Sequence, residues 1–456
     1  MTQPLTQPKM PVENISSLKE SGKKAEGNSR WHVLLATWLG ELFDGMDASI
    51  FTLVMFPAMS ELLGTTSHSV VGQYSSFILA LFMVGWAVGA ITFGVLADNI
   101  GRTKTMIYTI LLYAICTGLC AISHNWWELA FYRFLVGCGI GGELSIGAVM
   151  VAENFRGNAR LHAAGVLSSS FAFGYLIAAL LNFVLGAISW RLLFLIGLAP
   201  AVITLYIRSR LKEPEHFTLV RELRIKLRSM HKSDLNAAQH KLINFQIFEL
   251  FSAEHRYKVL AVMALASASI VGYWAVLSWI PAWINQLTGT AAVSERTQAA
   301  LAMNIGGIIA ALSGGWVLSK LKIRTAFLLV FAGALASSLG MFLIVRAFGP
   351  ALLTWVFFAG AFATAPFVFL FVYVPALFSA NIRSTAFGVS VQVGRIVAAC
   401  ACLAGGQIIA TCHGSYALAG ASVALVYLVG IAAALCMTEG NDEVELGISP
   451  TALTAS

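Results

Sequence analysis

Twelve apolar stretches, each long enough to cross a lipid core, run through this chain and are separated by polar segments. Their centres fall near Phe43, Val84, Leu112, Gly139, Tyr175, Phe194, Ile270, Ile308, Val330, Phe358, Ile396 and Leu425. A helix that crosses hydrocarbon needs about 20 mostly apolar residues. Backbone polar groups find no water in the core, so only helices and closed barrels span it. Barrel strands would read as alternating segments of about ten residues, and the sequence shows none. The composition agrees: 58% of residues are hydrophobic and 11% charged, where soluble domains carry about a quarter charged. The expected fold class is an all-α membrane protein of twelve transmembrane helices.

The charges set which way these helices run. Lys19, Lys23, Lys24 and Arg30 precede span 1, Arg102 and Lys104 follow span 2, and Arg156 and Arg160 follow span 4. Lys320, Lys322 and Arg324 follow span 8, and Arg383 precedes span 11. The segment from Arg208 to Lys258 is rich in Lys and Arg, whereas 60–73 and 123–128 contain neither. Basic loops stay in the cytoplasm, so both termini and the long middle segment are expected there, in a multi-pass protein of the cytoplasmic (inner) membrane. The expected divisions are a tail over 1–30, a six-helix bundle over 31–207, a basic linker over 208–257, a second six-helix bundle over 258–437 and a tail over 438–456. The first thirty residues lack the apolar core of a cleaved signal peptide, so span 1 is expected to direct insertion. These loops account for the net charge of +7, and no nucleic-acid partner is expected.

A repeat supports the division into halves. At an offset of 223 residues, Phe155 aligns with Phe378, Asn158 with Asn381, Arg160 with Arg383, Ala163 with Ala386 and Gly165 with Gly388. GVLADNIGRTKT after span 2 has a weaker echo in GWVLSKLKIRT after span 8. Parallel repeats suit a transporter whose halves rock about a central site.

Other chemistries leave no trace. The seven cysteines show no paired CxxC motif and no accompanying His cluster, and read as small core residues. No metal or cofactor is expected. The sequence has no Gly-x-Ser-x-Gly, no intramembrane His/Glu metal motif and no Walker A segment, which argues against an enzyme and an ATP-driven pump.

Two segments carry a more specific signature. GVLADNIGRTKT places Gly94, Asp98, Gly101, Arg102 and Lys104 in the pattern Gly, Asp four residues on, then Gly-Arg-x-Lys. YRFLVGCGIGGE places Arg133 ahead of Gly137, Gly139, Gly141 and Gly142, and such glycines thin a helix for close packing. Both segments resemble the major facilitator superfamily. Glu153, Phe155 and Arg160 resemble the cytoplasmic end of span 4 in its sugar and organic-ion porters, and Trp190-Arg191 with Phe194 and Glu213-Pro214-Glu215 extend the match. It covers roughly Trp31 to Met437. FDGMD in span 1 with GGE in span 4 looks most like the metabolite–proton symporters, a group that carries sialic acid, aromatic acids and other organic anions.

The resemblance implies the major facilitator fold of two six-helix bundles. It also implies conformational roles for Gly94, Asp98, Gly101, Arg102, Lys104, Glu153, Arg160 and Arg383. Spans 1, 4, 7 and 10 would line the cavity, which puts Asp44, Asp47 and Arg133 on its wall. Two positions depart from the pattern: Ser319 stands near the place of the Asp in the second-half loop, and Ala376 replaces the Glu before span 11. They argue against a symmetric latch in the second half.

LGELFDGMDASIF sets Glu41, Asp44 and Asp47 inside span 1, where charge is costly unless it pairs or meets water. At 100° per residue the three fall within an arc of about 120° and could face one cavity. Asp44 lies about 20 Å along the span from Trp31, and Arg133 about 10 Å in from the outer end of span 4, so the two sit at similar depth. Asp44 is therefore the first choice for binding a coupled proton, with Asp47 nearer the outer mouth and Glu41 tuning both. A carboxylate whose partner changes between inward and outward states would load and release that proton. Arg133 would pair with such a carboxylate or meet the substrate's own; a fixed ion pair between spans 1 and 4 is the alternative. The remaining substrate-binding candidates are Glu143 in span 4, Arg395 with its polar neighbour Gln392 in span 11, and Trp274 in span 7.

The expected function is secondary active transport of a small organic anion by alternating access, with proton symport. Its partners would be a small-molecule substrate, protons and the bilayer, and it would work as a monomer. A neutral sugar or a nicotinate-type metabolite is the alternative substrate. A non-transporting sensor with a transporter fold would carry a large appended domain, and none is visible in the sequence.

Overall fold

The computed structural model describes residues 13–185, 188–198, 250–252, 255–277, 279–288, 293–378 and 382–437. Within them the chain is almost wholly helical and contains no strand. Among the described residues, eleven helices are long and apolar enough to cross a membrane. They are span 1 (Arg30–Leu63), span 2 (Val70–Ile100), span 3 (Arg102–Ala121), span 4 (Trp126–Asn154), span 5 (Gly157–Asn182), span 7 (Arg256–Thr288), span 8 (Ser294–Lys320), span 9 (Ile323–Ile344), span 10 (Pro350–Leu377), span 11 (Arg383–Gly405) and span 12 (Tyr416–Leu435). Span 6, expected around Phe194, is described as helix over 190–198. The tails 1–12 and 438–456 lie outside the described residues, as does the expected linker 208–257 except for 250–252 and 255–257.

Local signals explain where helices stop. Gly101 joins spans 2 and 3 with φ 123°, a left-handed backbone that only glycine adopts cheaply, and its N–H reaches Ala97 O at 3.2 Å. Pro350 opens span 10 after Gly349, at the position where a missing N–H costs nothing. Span 7 is interrupted: a five-residue π-helical turn, Gly272–Val276, separates Arg256–Val271 from Ile280–Thr288. Such turns recur at functional sites.

In lipid, helices associate by close packing, since tails are as apolar as leucine. Span 4 shows how. A Cβ added to Gly141 would lie 1.9 Å from Trp86 O of span 2, and one added to Gly139 would lie 2.8 Å from Thr109 O of span 3. The glycine-rich face is thus pressed between two neighbours. Large apolar side chains such as Ile115, Leu180, Leu260 and Ile344 are exposed on the outside, as a lipid-facing surface requires.

Spans 1–5 and 7–12 gather into two bundles, with span 6 completing the first. Spans 2 and 4, 1 and 5, and 3 and 4 pack closely in the first; spans 8 and 10, 7 and 11, 9 and 10, and 9 and 12 do so in the second. Between bundles, span 2 lies on span 11 and span 5 on span 8. This is the twelve-helix, two-bundle architecture.

Candidate functional site

The bundles meet through polar residues at the end that carries the basic loops. Asp98 closes span 2 and accepts hydrogen bonds from the backbone of Ser384 (3.3 Å) and Thr385 (2.7 Å) and from the Thr385 hydroxyl (2.8 Å). It thereby caps the N-terminus of span 11 with a negative charge, the sign that helix end favours. Arg102, fully buried, stands 3.6 Å from Asp98 and 3.0 Å from Glu153. Glu153 in turn meets Arg383 of the other bundle at 2.9 Å. Arg160 crosses in the opposite direction and donates to the Val372 carbonyl at 2.7 Å. Lys104 is exposed.

Four glycines let the backbones touch there. A Cβ on Gly94 would lie 2.8 Å from Ser384 O, and one on Gly388 would lie 2.2 Å from Ala90 O. On the other side, Cβ atoms on Gly315 and Gly165 would each lie 2.5 Å from a carbonyl, of Leu161 and Ala311 respectively. The two sets are related by the repeat. An offset of 221 carries Ala90 and Gly94 onto Ala311 and Gly315, and 223 carries Leu161 and Gly165 onto Ser384 and Gly388.

Above this contact, midway along the helices, a cavity opens between the bundles. Its walls are aromatic: Trp86, Phe171, Tyr273, Trp274, Phe367 and Phe371. The rings pack edge to face, with Phe171 and Trp274 at 6.3 Å and Trp86 and Trp274 at 6.4 Å, bridging the bundles. Two charges enter it, Glu41 from the first bundle and Arg395 from the second, beside Ser168, Ser170, Asn304 and Thr364. The Arg395 guanidinium carbon lies 3.4 Å from the centre of the Trp86 ring, a close cation–π stack. Its Nε donates to the Gln392 side-chain oxygen at 2.6 Å, and its Nη1 makes no hydrogen bond among the described residues. A buried guanidinium donor left open, framed by rings, can take a carboxylate attached to a planar group.

A second cavity continues toward the opposite end. It shares Phe171, Tyr273, Trp274 and Met303 with the first, and reaches Thr52, Tyr175, Pro281 and Arg296. Each of these lies further from the basic loops along its helix than the central residues do.

The span 1 carboxylates do not share one cavity. Glu41 lines the central one. Asp47 points into the first bundle, where Arg133 donates at 2.7 Å and Thr117 at 2.8 Å. The Arg133 guanidinium is packed among Phe82, Phe51 and Phe194 at 4.6, 5.0 and 5.9 Å. Asp44 is buried between these two positions and belongs to neither cavity lining. Three expectations are corrected by this. Arg133 pairs with Asp47 and not with Asp44; neither Asp47 nor Arg133 lies on the cavity wall; and Asp44 does not lie there either. The reasons are geometric. Span 1 has 34 residues, about 51 Å of helix, so counting from Trp31 fixes depth only to within its tilt. An arc of about 120° is also wide enough to straddle two environments.

Glu143 and Gln392 are buried outside both linings, Gln392 acting on Arg395 alone. Trp274 and Arg395 are where a substrate could touch them. The sequence reading missed Trp86, Phe171, Met303, Phe367 and Phe371, because a buried aromatic on an apolar helix looks the same whether it faces a neighbour or a cavity. It also missed Thr117 and Thr385, single hydroxyls whose importance comes only from the carboxylates they meet.

The comparisons with known proteins agree with this geometry. The sequence model of the Major Facilitator Superfamily matches residues 37–401. The chain is 26% identical to a niacin transporter of Acinetobacter baylyi over 81% of this chain and 85% of that one. It is 24% identical to a benzoate transport protein of the same organism over 80% of each. Among solved structures, a proton:xylose symporter superposes with a TM-score of 0.70 at 16% identity, over 90% of this chain and 95% of that one. That likeness is one of fold.

Proposed function

The chain belongs to the major facilitator superfamily, and from that membership we propose that it carries a small planar organic acid across the cytoplasmic membrane in symport with protons. It is a multi-pass membrane transporter of small metabolites, not an enzyme. The observation that supports an acid is Arg395, whose open Nη1 lies in a cavity walled by six aromatic residues. The relatives' substrates, niacin and benzoate, are of the kind such a cavity suits.

The substrate carboxylate binds Arg395, and its ring lies among Trp86, Phe171 and Trp274. Gln392 holds the guanidinium in place, as a positioning residue. Glu41 faces the same space, so an incoming anion places two negative charges beside one positive charge. A proton arriving with the substrate relieves that imbalance. Asp47 is the second proton site: its protonation weakens the bond to Arg133 and frees span 1 to shift against span 4. With the basic loops in the cytoplasm, the contact around Asp98 is the closed inner gate, and the cavity faces outward. Alternating access then opens this gate while the outer end closes. The protein works as a monomer with both termini inside.

The test is uptake into proteoliposomes under an imposed pH gradient, with benzoate, nicotinate, their neutral amides and a set of sugars. The two acids are expected to accumulate, and Arg395→Gln to lower their kcat/KM by about a hundredfold. Sugar uptake without acid uptake would overturn the substrate class, and indifference to the gradient would overturn symport. Asp47→Asn is expected to retain counterflow and lose accumulation; accumulation at the unaltered level removes Asp47 from the coupling.

A further inference from the structure

Arg395 has a neighbour at the central cavity that is also a buried donor without an acceptor. Trp86 is 1% exposed and lines the same cavity, and its indole Nε1 makes no hydrogen bond among the described residues. A buried N–H left without an acceptor is rare and costly in a folded protein. The Arg395 guanidinium carbon stands 3.4 Å from the centre of the Trp86 ring, a separation that only face-to-face stacking permits. The open Nε1 of Trp86 and the open Nη1 of Arg395 thus lie in parallel planes, one layer apart. One belongs to span 2 of the first bundle and the other to span 11 of the second. An indole N–H and a guanidinium N–H can only donate, so neither satisfies the other.

The edge of the Trp86 ring that carries Nε1 runs toward span 4. Its Cδ1, the atom bonded to Nε1, would lie 2.8 Å from a Cβ added to Gly141. Leu144, one turn along from Gly141, lines the cavity. Gln392 Nε2 is a further buried donor without an acceptor among the described residues, but Gln392 stands outside both cavity linings. A ligand that satisfies the stacked pair must bring two acceptors a short distance apart. A carboxylate has two acceptor oxygens, whereas an amide has one and turns its NH2 toward the second donor.

We infer that the Trp86 indole N–H is the second donor to the substrate carboxylate: Arg395 Nη1 holds one oxygen and Trp86 Nε1 the other. The carboxylate then ties span 2 to span 11 across the cavity, and Trp86 is a specificity-determining residue that favours an acid over its amide. A site built to hydrogen-bond a group rejects the analogue that leaves one of its donors unpaired. The inference rests on the substrate class proposed above.

The test uses the full chain, purified for equilibrium binding of benzoate and benzamide and reconstituted in proteoliposomes for benzoate uptake. Trp86→benzothienylalanine exchanges the indole N–H for sulfur and keeps the ring and its stack on Arg395. It is expected to weaken benzoate binding and lower kcat/KM for benzoate about tenfold, while benzamide binding stays within about twofold. In the unaltered protein the indole N–H proton signal of Trp86, identified by its loss in the sulfur variant, should move downfield when benzoate is added and stay in place with benzamide. Unchanged benzoate affinity in the sulfur variant overturns the second donor, as does an equal loss for benzamide or an indole signal that bound benzoate leaves in place. If the unaltered protein binds no aryl carboxylate, the substrate reading and the second donor fall together. If it binds benzoate, loses that binding in Arg395→Gln and keeps it in the sulfur variant, only the second donor falls.

Discussion

The two places where the bundles touch at the basic-loop end, span 2 against span 11 and span 5 against span 8, share a backbone geometry and differ in chemistry. Each brings a pair of glycines against carbonyls of the facing helix, at repeat-related positions. Only the first adds a charge. Asp98 caps span 11 across the interface, whereas Ser319, near the corresponding place, donates to Trp316 O of its own helix at 2.7 Å. The arginines differ in the same way. Arg383 meets the Glu153 carboxylate, but its repeat mate Arg160 faces the stretch where Ala376 replaces that Glu, and settles on the Val372 carbonyl. Close backbone approach is thus the property the two contacts share. The network of charges is an addition on one side.

The largest expected effect comes from breaking the charged side. Asp98→Asn removes one of the two carboxylates beside the buried Arg102, leaving Glu153, and weakens the span 11 cap, at a cost of about 3 kcal/mol. The gate equilibrium should move toward opening by about a hundredfold, read as faster labelling from the basic-loop side of a cysteine placed at Ser168 in a cysteine-free background. Next comes the shared geometry: Gly388→Ala and Gly165→Ala should each cost the closed state about 1–3 kcal/mol through overpacking. Similar labelling rates in the two variants would sharpen the comparison, and an effect on one side only would break it. The smallest is Ser319→Ala, expected to change labelling and transport by less than about twofold. A large effect there would mean that the second interface carries a latch after all.

Much of this contact between the bundles was legible beforehand. Gly94, Asp98, Gly101, Arg102, Glu153, Arg160 and Arg383 were marked by the family resemblance, Arg160 and Arg383 also by the repeat, and Ser319 and Ala376 as the departures. Loops and helix ends are governed by local rules, such as the left-handed backbone at Gly101, so local sequence reveals them. The central site was legible only in part. Arg395 and Trp274 could be singled out as unusual, but Trp86 and Phe171 could not, and Asp44 was given the partner that belongs to Asp47.

Hydrophobic length, basic loops and an internal repeat determined by themselves a helical membrane protein of two repeated halves, because the cost of burying backbone and charge in lipid admits few other solutions; the motifs that resemble the superfamily pointed to a transporter. Tertiary structure decided which way Glu41, Asp44 and Asp47 point. Rotating or tilting span 1 slightly would exchange their surroundings without changing a residue, and packing against spans 2, 4 and 5 together with the Asp47 bonds to Thr117 and Arg133 fixes that rotation. The separation of an Asp47–Arg133 pair inside one bundle from the cavity that Glu41 and Arg395 line between the bundles is therefore a fact of packing.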